Sequence, residues 1–169
     1  MKIKFVILLI VILFFSGGNV EANFENWTNG IEEVVSETET KYGERIKLAA
    51  ESHEIKKEIL LALVVVESNG DPNAISETGV QGLTMLTKNV VDLIEKKEGI
   101  KINRVHEFES LWGAGWYLRY LIDSYDFNLK EAVAAYYHGP SGLREKLKTK
   151  ELNDLYYMKK INYILTLVN

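Results

Sequence analysis

Apolar positions recur at helical spacing along most of the chain, with few breaks between runs. From Ile31, the positions Ile31, Val35, Tyr42, Ile46 and Ala49 share one helical face. The start of that segment is acidic, with Glu32, Glu33, Glu37 and Glu39, and Gly43 lies within it. The pattern predicts a helix that frays at its start and is weakened at the glycine. Residues 58–68 are apolar nearly all round, from Ile59 through Val66. A helix of that kind is buried on every side. The consecutive valines Val64, Val65 and Val66 make a buried strand the rival reading; the length and the Ile-Leu-Leu-Ala-Leu start favour helix.

Asn69-Gly70-Asp71-Pro72 stops this element. Gly70 suits a left-handed cap, and Pro72 cannot continue a helix. A loop then runs through Gly79 and Gly82, two positions where backbone conformation or close approach calls for glycine. A short amphipathic helix is predicted over 88–97. Leu111, Ala114, Leu118, Leu121, Ile122 and Tyr125 mark a stronger one. Asn128 followed by Glu131 has the spacing of a capping box for a helix over 129–138, which Gly139-Pro140 ends. Leu152, Leu155, Ile161, Ile164 and Leu165 mark a last helix. No alternating run is long enough for a sheet, so the predicted class is all-α, with at most a minimal β-hairpin near 73–82.

Length narrows this to one domain: the chain has 169 residues, 47% hydrophobic and 26% charged, an ordinary globular composition. Its N-terminus reads differently. Lys2 and Lys4 precede an unbroken apolar run, Phe5 to Phe15, then Ser16-Gly17-Gly18-Asn19 and Val20-Glu21-Ala22. This is the layout of a secretory signal peptide over 1–22, cut after Ala22. The run is shorter than the ~20 apolar residues a membrane-spanning helix needs. The expectation is an exported protein of the periplasm, cell envelope or extracellular space. Residues 23–40 are a lead-in passing into helix, flexible over 23–30, and 41–169 form the main domain.

The net charge is −4, and removing 1–22, with Lys2, Lys4 and Glu21, leaves −5. Such a chain has no counterion-release drive towards nucleic acid. The absence of cysteine excludes disulfides and thiol catalysis. His53, His106 and His138 show no metal-ligand spacing, so neither metal nor cofactor is expected. His138 reads as a solvated loop histidine.

Glu67 is the residue out of keeping with its surroundings. On a helix it stacks over Leu63, Val64 and Leu60, at the C-terminal end of the most apolar segment. Desolvation there raises a carboxyl's pKa, and the negative end of the helix dipole pushes the same way. A Glu protonated near neutral pH serves as a general acid. From position alone, a carboxylate that anchors the following loop through backbone N–H bonds is the stronger reading, since perturbed carboxylates also serve structural networks.

The flanking residues add to this. Glu67, Ser68, Pro72, Ala74, Ser76, Gly79, Gly82 and Leu83 follow the pattern E-S-x-x-x-P-x-A-x-S-x-x-G-x-x-G-L. Ser110-Leu111 with Ala114 to Leu118, then Ala134-Ala135-Tyr136-Tyr137-His138-Gly139, then Tyr157 to Ile161, continue it. Together these resemble the soluble lytic transglycosylase family, whose domain is related in fold to goose-type lysozyme, over roughly residues 41–165. The resemblance implies a lysozyme-like helical domain acting on peptidoglycan glycan strands. It implies that Glu67 protonates the glycosidic oxygen between N-acetylmuramic acid and N-acetylglucosamine. Glu67 then accepts the proton of the muramic C6 hydroxyl, leaving a 1,6-anhydro end. Ser76, Tyr136 and Tyr157 match residues near the acid or lining the cleft.

Three departures bear on substrate contacts. Met85 stands where the family has a glutamine, Tyr137 where it has an asparagine, and Ser110 where it has another; Lys88 also replaces a proline. Losing amides from a sugar cleft removes hydrogen-bond specificity, while Met85 and Tyr137 suit a more apolar, stacking subsite. Two alternatives therefore stay open: a muramidase that hydrolyses the same bond, and a non-catalytic peptidoglycan-binding assembly protein. By analogy with compact specialised enzymes, the partner is a secretion, pilus or conjugation apparatus; a monomer is the default.

Overall fold

The computed structural model describes residues 20–169, and the predicted signal segment lies almost wholly outside them. Eight α-helices account for most of the described chain: α1 (Val20–Thr28), α2 (Ile31–Glu51), α3 (Lys57–Ser68), α4 (Lys88–Glu98), α5 (Glu107–Tyr125), α6 (Leu129–His138), α7 (Pro140–Lys146) and α8 (Tyr156–Val168). A 3-10 turn, Leu152–Asp154, precedes α8.

Helix α3 lies at the centre, packed by α2, α5 and α8. Leu60 to Val65 are all at most 2% exposed, so this helix is apolar on every side because every side is covered. Burying a Val or Leu side chain contributes roughly 1.5–3 kcal/mol, which outweighs the modest preference of the valines for strand.

The expected helix over 129–138 forms with its capping box: Asn128 accepts from the Glu131 N–H, and Glu131 accepts from the Asn128 N–H. Other readings are corrected. Residues 23–30, expected to be flexible, lie mostly in α1, where Phe24 and Trp27 dock edge-on against Tyr163 of α8. Helix α2 runs unbroken through Gly43, because its Tyr42, Ile46 and Ala49 faces are packed and tertiary burial overrides propensity. Pro140 does not merely end α6; it occupies the first turn of α7, where its missing N–H costs nothing. The hairpin near 73–82 reduces to two isolated antiparallel bridges, Ile75 with Gln81 and Gln81 with Leu86.

The loop between α3 and α4 is held from several sides. Asn69, left-handed at φ 52°, caps α3, and Gly70 follows in the same region. A Cβ at Gly70 would sit 2.3 Å from Thr38 Oγ1, so α2 passes too close for a side chain there. Gly82, at φ +91°, lies against the chain before α5: a Cβ would sit 2.1 Å from the Arg104 carbonyl oxygen. The Arg104 guanidinium donates to the carbonyls of Leu86 at 3.2 Å and Gly79 at 3.1 Å. Gly82→Ala must therefore strain a backbone angle and displace backbone at once. It is expected to destabilise the fold by about 2–3 kcal/mol, lowering Tm by roughly 5–10 °C in a thermal melt.

Candidate active site

Glu67 is the penultimate residue of α3, and its side chain meets α8 and α6. It remains partly exposed, yet its carboxyl is largely desolvated, and burial lifts its pKa from 4.5 to about 7. Two groups act against that rise. The Tyr157 hydroxyl donates to Glu67 Oε1 at 2.8 Å, and the Lys160 ammonium favours the charged form. Among the described residues, no second carboxylate contributes to this balance. The loop-anchor reading finds no support here: the bond Glu67 accepts comes from Tyr157, not from the loop backbone. The serine beside it has that task. Ser68 Oγ lies 2.8 Å from the Leu83 carbonyl oxygen and 3.1 Å from that of Val64, and the shorter contact ties the loop to the helix end.

Tyr136, Tyr137 and Tyr157 of the matched motifs gather around Glu67. Tyr157 is buried, with a pKa raised well above the ordinary value first by burial and then by the Glu67 charge. Tyr137 stacks on it, ring centroids 4.7 Å apart and planes 14° apart, while remaining 51% exposed. Tyr136 packs against Tyr117 at 5.5 Å and donates its hydroxyl to the Thr84 carbonyl at 2.7 Å. Tyr117 and Tyr120 belong to an aromatic run along α5 rather than to the cleft floor.

Other predicted site residues are placed differently. The Ser76 hydroxyl is engaged in its own turn, accepting from the Val80 N–H at 3.0 Å and lying 3.1 Å from Thr78 Oγ1. Met85 is half-buried and left-handed at φ 49°, an uncommon conformation for an unbranched apolar residue, and one that costs on the order of 1 kcal/mol. Ser110, expected as a lost cleft amide, is fully buried. It forms a hydroxyl pair with Thr84, Oγ to Oγ1 at 2.7 Å, and Thr84 Oγ1 donates to the Ser110 carbonyl at 3.0 Å. That pair fixes the Thr84 carbonyl on which Tyr136 rests, so its effect on the cleft is indirect. His138 is the last residue of α6 and half-buried, not solvated; its Nε2 is buried without a partner, and burial lowers its pKa to about 4.

Sequence reasoning missed Lys160 and Arg104. Lys160 falls at a variable position of the closing motif, but its place three residues after Tyr157 puts it on the same face of α8. Arg104 has no pattern around it. Among the described residues, no cluster of His, Cys, Asp or Glu side chains is arranged to hold a metal ion. Two surface concavities, about 570 and 630 Å³, lie at the 147–154 loop and between α2, α3 and the end of α8, and neither is lined by Glu67. Chemically, the arrangement is a protonated carboxyl that can release a proton and retake it.

Comparison with known proteins gives a consistent likeness. The family model described as Transglycosylase SLT domain matches residues 44–158. A membrane-bound lytic murein transglycosylase F of Pseudomonas fluorescens is 34% identical over 119 residues, covering 66% of this chain and 24% of that protein. One from Saccharophagus degradans is 34% identical over 111 residues, covering 62% and 21%. The match thus spans about a quarter of those relatives' length. An inactive mutant of the lytic transglycosylase Slt from Pseudomonas aeruginosa shares the fold, with a TM-score of 0.61 over 75% of this chain and 22% of its own, at 18% identity.

The raised pKa has a consequence for stability. Because the folded protein holds the Glu67 proton up to about 7 and the unfolded chain only to 4.5, this group's contribution is full below pH 4.5 and is lost as pH rises through 7. Glu67→Gln removes that loss. It is expected to be more stable than the parent by roughly 2–3 kcal/mol at pH 8 and nearly equal to it at pH 4.5, as read from denaturant melts at both pH values.

Proposed function

The chain belongs to the transglycosylase SLT domain family, and from that premise we propose that it is a peptidoglycan lytic transglycosylase in which Glu67 is the single acid–base group. The observation that carries this reading is a partly accessible carboxyl protonated up to about 7, at the matched position, in a wall of tyrosines. Its substrate is the β-1,4 bond between N-acetylmuramic acid and N-acetylglucosamine.

In the first step the Glu67 carboxyl gives its proton to the glycosidic oxygen. The C1–O bond breaks, and its electron pair leaves with that oxygen. Positive charge develops at C1 and the carboxylate remains. In the second step the muramic C6 oxygen bonds to C1, and its proton returns to Glu67. Water is not consumed, so no second carboxylate is needed to activate it, unlike two-carboxylate glycosidases. A carboxyl with a pKa near the working pH suits both halves, since it must be acid first and base second.

Met85 and Tyr137 make one subsite more apolar than the family pattern. The half-exposed Tyr137 ring, backed by Tyr157, offers a flat face for a sugar ring. Ser76 acts through the turn it closes, and Tyr136 through the loop it props. We place the protein in the cell envelope: relatives named membrane-bound lytic murein transglycosylases point there, and residues 1–22 have the layout of an export signal. Among the described residues no helix is long and apolar enough to cross a membrane. A secretion, pilus or conjugation apparatus is the partner that a local wall-opening activity would serve.

Digestion of purified peptidoglycan, read by mass spectrometry, tests the reaction. The expected products carry 1,6-anhydromuramoyl ends and fall by about 10²-fold or more with Glu67→Gln. Reducing ends bearing added water would establish the muramidase instead; tight binding with no products would establish the glycan-binding protein. Separately, Tyr137→Ala is expected to raise KM several-fold with a smaller change in kcat, because stacking acts on the bound sugar before and during reaction.

A further inference from the structure

Helix α1 and residue Lys160 both lie outside the stretch matched by the family model, yet they meet on α8, the helix whose Tyr157 bonds Glu67. Trp27 is 8% exposed, packed against Phe24 at 6.0 Å and Tyr163 at 6.2 Å. The Tyr156 hydroxyl donates to the Asn23 carbonyl at 3.3 Å, fastening α1 to the start of α8. Between these rings sits the Lys160 ammonium, 4.7 Å from the Trp27 ring centre and 5.1 Å from that of Tyr156. A surface lysine ordinarily extends its head into water. Here the head is turned inward, between two aromatic faces, where cation–π attraction offsets part of its lost hydration. Lys160 is one helical turn past Tyr157, whose hydroxyl holds Glu67.

We propose that Lys160, held by Trp27 and Tyr156, is a positioning residue for proton transfer at Glu67, and that α1 is therefore part of the catalytic unit. This rests on the reading of Glu67 as the acid. When Glu67 gives up its proton, a carboxylate is left in desolvated surroundings. The Lys160 charge stabilises that carboxylate until the C6 hydroxyl proton returns to it. The other titratable groups facing the pair are Tyr157 and Tyr156 of α8 and Tyr136 and Tyr137 of α6. Their pKa values are all raised, chiefly by burial, so they stay neutral through the working range. The ammonium is thus the charge that answers the change at Glu67. Burial brings its own pKa down to about 8, with the Glu67 charge acting against that fall.

The sign of the effect is fixed. Lys160 holds the Glu67 pKa down, so Lys160→Met must raise it above about 7 and make Glu67 a weaker acid. A carbon-13 carboxyl titration by NMR on the full chain reads this without substrate. The Glu67 midpoint is expected to move up in Lys160→Met, to stay near the parent value in Lys160→Arg, and to lie between them in Trp27→Leu. On peptidoglycan, kcat is expected to fall about tenfold in Lys160→Met with little change in KM, the basic limb of the pH profile moving up. Lys160→Arg is expected to recover most of that rate. A folded Lys160→Met with an unmoved Glu67 midpoint overturns the proposal; if that variant does not fold, an unmoved midpoint in Trp27→Leu does so. Because the titration needs no turnover, an inactive parent chain would count against the proposed reaction while leaving the Lys160 result readable.

Discussion

Burial of α3 on all sides by α2, α5 and α8 is the constraint on which the rest of the structure depends. A helix so enclosed lets polar side chains reach solvent only at its ends, Lys57 and Glu58 at the first and a single carboxyl at the last. Glu67 stands there, with Val64 and Leu63 fully buried behind it. The same enclosure that stabilises the fold desolvates the carboxyl, so the core and the raised pKa share one cause. Moving the carboxyl one turn back would bury it completely; moving it into the loop would return it to water and an ordinary pKa.

The loop that follows is fastened to the helix end, and its supports are mostly indirect. Gly82 allows backbone-to-backbone approach, Arg104 draws in the Gly79 and Leu86 carbonyls, and Ser68 holds Leu83. Thr84 and Ser110 then satisfy each other inside the protein, and Tyr136 rests on the Thr84 carbonyl. Seen this way, Ser110 in place of the family's asparagine is one half of a closed hydroxyl pair rather than a missing sugar contact. Tyr137 in place of an amide is different in kind, because its ring is half in solvent and stacked on Tyr157. One replacement changes support and the other changes surface, although in sequence they look alike.

Much of this was legible in the sequence where local chemistry and packing agree. The capping box at Asn128, the apolar α3 and the glycines of the loop each state their structure within a few residues. Glu67 was legible because a carboxylate on an apolar helix conflicts with its neighbours. What escaped depends on distant partners. Helix α1 has only Phe24 and Trp27 to mark it, and their rings gain meaning from Tyr156 and Tyr163, more than a hundred residues later. Arg104 acts on carbonyls, which carry no side-chain signature. The turn that Ser76 closes was equally hidden, because a motif position does not show which backbone N–H its hydroxyl accepts from.

Burial pushes the two charged groups in opposite directions, the Glu67 carboxyl up and the Lys160 ammonium down, each towards its neutral form. A carboxylate formed beside a neutral amine, in surroundings that solvate it poorly, would be opposed. The attraction between the two charges works against both shifts, since each charge favours the other, and the Tyr157 hydroxyl adds to it from the carboxylate side. The aromatic faces of Trp27 and Tyr156 stabilise the cation in the same sense, which gives α1 a chemical reason to be where it is.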